Sequence, residues 1–155
     1  MRLIKIVQIF LLLLCLNIVK AQDSETLKVQ KTIETFFKGF HSQDSLLLSS
    51  CVASRVLMQT IGVDKETGNT ELKDVNFDKF LTSILKIPDS INFQEKLLSF
   101  NIQIDGDMAH AWTPYQFWYN ESLSHCGVNS FQLIKERDQW KIIYIIDTRR
   151  KEPCS

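Results

Sequence analysis

The stretch that decides the fold runs from Asp107 to Thr148 and reads DMAHAWTPYQFWYNESLSHCGVNSFQLIKERDQWKIIYIIDT. Apolar and polar residues alternate through it in three runs, roughly Asp107 to Asn120, Ser124 to Arg137 and Gln139 to Thr148, separated only by Glu121-Ser122-Leu123 and Asp138-Gln139. Connections this short join neighbouring antiparallel strands. Immediately upstream, Asn92 to Ile104 has the same period of two and ends at the turn pair Asp105-Gly106, so the C-terminal half is expected to be a four-stranded antiparallel meander. Its strands are apolar on both parities. One face must therefore receive helices, and the other is partly exposed or covered by a second subunit.

The period changes on the N-terminal side. From Glu25 to Phe40 the residues Leu27, Val29, Ile33, Phe36, Phe37 and Phe40 recur at spacings of three and four, an amphipathic helix with an aromatic face. A second short helix is expected over Ser45 to Val52, with Asp44 as its cap. Arg55 to Val63 and Thr70 to Val75 read as a hairpin around Asp64 to Asn69. Asn76 can cap a third helix, Phe77 to Ile87, which Pro88 stops. Helices and a hairpin followed by a meander make an α+β fold rather than alternating βαβ units. Three helices on one curved sheet leave a cup between the layers, a natural place for a ligand.

Composition narrows the functional classes. The 155 residues are 45% hydrophobic and 23% charged with 5 Gly and 3 Pro, which excludes collagen-like and disordered chains. Arg2 and Lys5 precede an apolar run from Ile6 to Leu16, and Val19-Lys20-Ala21 offers a cleavage site, so residues 1–21 read as a secretory signal and 22–155 as one exported domain, periplasmic or secreted. The apolar run is shorter than the ~20 residues that span a bilayer. Removing Arg2, Lys5 and Lys20 leaves 15 basic side chains against 18 acidic ones, a net charge of −3, and argues against a nucleic-acid partner.

Cleavage also removes Cys15 and leaves Cys51, Cys126 and Cys154 in an oxidising compartment, where one disulfide and one free thiol is the simplest outcome. Cys126, near the end of the last hairpin, is within reach of the tail carrying Cys154, which favours that pairing and leaves Cys51 as a buried thiol. The histidines at 41, 110 and 125 are dispersed and no C-x-x-C occurs, so no metal site is expected. No Gly-rich phosphate loop and no G-x-S-x-G elbow is present, and nothing calls for a cofactor.

The element order, ending in Trp140-Lys141-Ile142, resembles the nuclear transport factor 2-like superfamily, the cystatin-like α+β cone, over essentially the whole mature chain. Trp112-Thr113-Pro114-Tyr115-Gln116-Phe117, Ser124-His125-Cys126-Gly127 and Asp147-Thr148-Arg149-Arg150 look like motifs of exported bacterial members of its SnoaL-like or lumazine-binding branch. The resemblance implies the cone and its cup. It implies no particular chemistry, because the superfamily spans isomerases, dehydratases, hydrolases, transport adaptors and domains without assigned activity.

A two-residue turn at Asp138-Gln139 would pair Arg137 with Trp140, Phe131 with Ile146 and Gly127 with Arg150. On that register Phe131, Leu133, Ile142, Tyr144 and Ile146 share the concave face with His125, Gly127, Asn129, Thr148 and Arg150, whereas Cys126, Asp147 and Arg149 point away. The expected ligand-binding set is therefore Phe36, Phe40, Tyr115, Phe117, His125, Asn129, Tyr144 and Arg150. His125 is the candidate for proton transfer, because imidazole titrates near neutrality. No inward carboxylate is expected: Glu95, Asp105 and Asp107 are read as lying near strand ends or turns. The leading functional expectation is a small, aromatic or hydrophobic ligand in the cup. The alternatives are an isomerase, dehydratase or hydrolase acting through His125, or a dimerisation module using Trp112 and Trp118 on the outer face.

Overall fold

The computed structural model describes residues 23–152 and 154, and the expected signal segment lies outside the described residues. Helix α1 covers 23–41 and α2 covers Ser45–Cys51; α3, Phe77–Leu85, follows the first hairpin. The strands are β1 (Val52–Val63), β2 (Thr70–Val75), β3 (Phe93–Leu97), β4 (Asn101–Asp105), β5 (Met108–Tyr119), β6 (Ser122–Glu136) and β7 (Gln139–Thr148). They form one mixed, mostly antiparallel sheet in the order β2-β1-β7-β6-β5-β3, with β4 also on β5 and one parallel pairing, β1 with β7.

The two helix caps form as the sequence requires. Asp44 accepts from the amide of Leu47 at 2.9 Å and Asn76 from that of Lys79 at 3.0 Å. Gln43 ties the helices together by donating from Nε2 to the carbonyls of Ile84 and Ile87 at the end of α3. The aromatic stripe of α1 packs on the inner sheet face. Val29 and Ile33 are fully buried, and the Phe37 ring meets Phe131 edge-on at 6.1 Å.

Three expectations about the meander need correction. The first expected strand is two: β3 and β4 pair with opposite ends of β5, and the chain breaks between them at residues 98–100. The hairpin turns are Asn120-Glu121 and Arg137-Asp138, all four residues at positive φ. Such turns match the right-handed twist of the strands they join. The third correction moves side chains across the sheet. β6 and β7 pair Glu136 with Gln139 and Leu133 with Ile142, but then Gln132 with Tyr144 and Phe131 with Ile145. One extra residue, Ile143, is accommodated as a bulge and reverses the parity of everything after it. Ile145 is buried in the core in place of Ile146, Asp147 and Arg149 turn inward, and Tyr144 and Arg150 leave the concave face.

Candidate functional site

Between the helices and the inner sheet face lies a cavity of about 280 Å³. Its apolar wall consists of Phe36, Phe37 and Phe40 from α1, Phe80 from α3, Phe117 from β5 and Phe131 from β6, with Met58, Val75 and Ile145 filling between the rings. Phe80 stacks on both Phe36 and Phe40, at 6.3 and 5.9 Å between centroids, so the helical side presents ring faces as well as edges. The opposite end is polar and is built by Glu95, Tyr115, His125, Asn129, Asp147 and Arg149.

Glu95 occupies the middle of β3, and the pleat sends its side chain inward beside Phe117, its partner in register. Two contacts fix it. Its backbone amide donates at 2.9 Å to Nε2 of His41, an acceptor supplied by α1 for this edge strand, and its carboxylate accepts from Nδ2 of Asn129 at 2.6 Å. Burial pushes its pKa up to about 7, helped by the negative charge of Asp147 and opposed by the Asn129 bond and Arg149. Burial lowers the pKa of His41, which agrees with a neutral ring whose Nε2 accepts.

Tyr115 reaches across the sheet to β7, where its hydroxyl donates to the carbonyl of Thr148 at 3.0 Å and can also donate to Oδ2 of Asp147 at 3.2 Å. Gly127 makes that crossing room. A Cβ there would stand 2.8 Å from the Tyr115 ring and 1.8 Å from the Thr148 carbonyl oxygen. Asp147 also accepts from Nε of Arg149 at 2.9 Å. Burial raises the Tyr115 pKa, with further contributions from Glu95 and Asp147, and holds the phenol protonated. The Arg149 side chain lines the cavity and is 58% exposed.

Of the residues expected from sequence, the structure brings Phe36, Phe40, Tyr115, Phe117, His125 and Asn129 to the cavity. His125 stacks on Phe117 at 4.8 Å, and its Nδ1 lies 3.2 Å from the Ser124 hydroxyl; burial and Arg149 push its pKa down. Tyr144 and Arg150 belong elsewhere. The Tyr144 hydroxyl is bound to Gln59, and Arg150 bridges to Cys126 through its backbone. The bulge at Ile143 is the physical reason for both corrections. Cys126 and Cys154 are joined in a disulfide that pins the tail against β6, and Cys51 is free and buried.

Glu95, Asp147 and Arg149 were missed. Glu95 did carry a signal: Phe93 and Leu97, two residues away on either side, share its parity and point inward. Asp147 and Arg149 carried none, because Ile142-Ile143-Tyr144-Ile145-Ile146 is apolar at every position and periodicity cannot locate a bulge within it. Among the described residues no group of three or more His, Cys, Asp or Glu is placed to hold a metal ion.

No protein-family model matches the sequence, and no curated protein matches it either. Solved structures do match. An NTF2-like protein of unknown function from Shewanella baltica superposes with a TM-score of 0.63 at 16% identity, over 83% of this chain and 96% of that one. The chain has the nuclear transport factor 2-like fold. A Nostoc punctiforme protein of unknown function, described as having a cystatin-like fold, shares this NTF2-like architecture with a TM-score of 0.62 at 13% identity, over 81% of this chain and 90% of that one. A Streptomyces avermitilis protein provisionally described as a dehydratase of the NTF2-like family gives 0.63 at 15% identity, over 83% and 98% of the two chains. Identities this low establish the NTF2-like fold, and the chemistry must be read from the cavity itself.

Proposed function

We propose that the chain is an exported domain that binds a small molecule in the cup, its apolar body among the phenylalanine rings and its polar group oriented by Glu95, Asn129 and Tyr115. The observation that carries this reading is Glu95: a carboxyl at the polar end of a ring-lined cavity, with a single side-chain donor, is costly to maintain without a guest. The volume of about 280 Å³ lies at the small end of ligand sites and suits a compact molecule. Export is supported by the basic start and apolar run of residues 1–21, and the Cys126–Cys154 bond accords with an oxidising compartment.

A second reading, proton transfer, is favoured by the same carboxyl, whose pKa of about 7 is that of a group able to take or give a proton near neutrality. Tyr115, held protonated at the same end of the cup, has its one proton directed to Thr148 and Asp147, which leaves its oxygen as an acceptor. This reading moves the catalytic role expected of His125 to Glu95. Titration calorimetry against compact aromatic metabolites of each charge type tests both readings. Binding with a Kd of about micromolar or better is expected for at least one class, and a panel with no binder overturns the proposal. Conversion of the bound compound by the wild type but not by Glu95→Gln would establish the enzyme reading; binding without conversion would leave a binding domain.

A further inference from the structure

The charges at the polar end of the cup do not balance. Asp147 and Arg149 neutralise each other through the 2.9 Å contact, and Tyr115 donates to Asp147 and Thr148. His125 faces the cup from β6 and is pushed toward its neutral form, as is His41 behind β3. Glu95 is left over. Its carboxylate accepts from the neutral Asn129 amide, and no lysine, arginine or histidine lies within ion-pairing distance of it among the described residues. An ionised, partly buried carboxylate with one neutral donor is stabilised by a counter-charge. The rings of Phe36, Phe40, Phe80 and Phe117 line the apolar wall of the same cavity and offer no counter-charge.

Resting on the small-molecule reading above, we propose that the guest is a compact organic ammonium whose cationic head sits against Glu95 and whose apolar body lies among Phe36, Phe40, Phe80 and Phe117. Such a guest supplies the missing positive charge and donates to the Glu95 oxygen that Asn129 leaves open, while its apolar body fills the ring-lined wall. An anionic guest would place a second uncompensated negative group beside Glu95. The volume of about 280 Å³ admits a single ring with a short amine arm.

Titration of the full mature chain with benzylamine, benzyl alcohol and benzoate at pH 8 tests this. The amine is expected to bind about tenfold or more tightly than the alcohol, and benzoate the least. Glu95→Gln should bring amine and alcohol to within about twofold while its Tm stays at or above that of the wild type. Amine affinity should rise about tenfold from pH 6 to pH 8 as Glu95 ionises, with net proton release near pH 7 detectable by repeating the titration in buffers of different ionisation enthalpy. The groups facing Glu95 through this range are His41, Tyr115, His125, Asp147 and Arg149; any slope that survives in Glu95→Gln belongs to the histidines. Alcohol binding as tight as amine binding, or an amine preference that survives Glu95→Gln, overturns the ammonium guest and leaves the cup as a site for neutral molecules. Failure of all three probes overturns this inference, whereas the small-molecule reading falls only if the wider metabolite panel also yields no binder.

Discussion

Two glutamates at two places in this molecule are driven in opposite directions. Glu25, on the first turns of α1, accepts from Lys28 at 2.8 Å, from the indole of Trp140 at 2.9 Å and from Lys135 at 3.1 Å, and its pKa falls to about 2. Glu95 accepts from one neutral amide inside the cup, and its pKa rises to about 7. The first is solvated and surrounded by donors, so its charge fastens the helix to the last hairpin. The second is partly buried, and burial raises its pKa with one neutral amide in return. A carboxylate that fastens elements together contributes to folding, and one held against its own desolvation points to something outside the fold. The difference locates the site without reference to any relative.

The largest effect that would erase the contrast is expected at Gly127. Gly127→Ala drives a Cβ into the Thr148 carbonyl and the Tyr115 ring, so β7 must move and the polar end of the cup comes apart. We expect a loss of about 3 kcal/mol or more, read from denaturant unfolding, with the Glu25 latch intact in whatever remains folded. Next is the disulfide, which closes a loop with a sequence separation of 28. Cys154→Ser should cost about 3.5 kcal/mol in the chain-entropy account and lower Tm, most visibly as earlier proteolysis near the Arg149–Arg150 segment that it pins.

The smallest effects carry the comparison itself, through pH. The Glu95 pKa is higher in the folded than in the unfolded chain, so its contribution is least unfavourable below about pH 4.5 and becomes a full penalty as pH rises through about 7. Glu95→Gln is therefore expected to stabilise by about 2 kcal/mol at pH 8 and by little at pH 4.5. Glu25 has the opposite sign. Its pKa is lower in the folded chain, so its stabilisation is present above about pH 4.5 and disappears as pH falls toward about 2. Because this group is close to water, Glu25→Gln should cost only about 1 kcal/mol at pH 7 and nothing near pH 2. Thermal unfolding of both variants from pH 3 to 8 gives two curves that diverge in opposite senses. Parallel curves would remove the distinction between latch and site.

The α+β class, the three helices, the two caps and the meander could be read from the chain, because they follow from local periods and from residues such as Asp44, Asn76 and Pro88 that act on their own neighbourhood. Six of the eight expected cavity residues were equally legible: Phe36 and Phe40 follow the helical period of α1, and Tyr115, Phe117, His125 and Asn129 reach the cavity because β5 and β6 keep their alternation there. Tyr144 and Arg150 went wrong together. Both depended on carrying one register through Ile143, where the extra residue reverses the strand.

The sequence by itself determined which segments coil and which extend, where they stop, and that a ring-lined helix face must cover one side of a sheet, since these are short-range consequences of side-chain size and polarity. Only the tertiary structure decided which charges enter the cup. A bulge in an all-apolar run costs little locally and leaves no mark in the pattern, yet it chooses Asp147 and Arg149 over Tyr144 and Arg150. The raised pKa of Glu95 likewise comes from burial and from the charge of Asp147, on a strand far along the chain, which are brought together only when the chain folds.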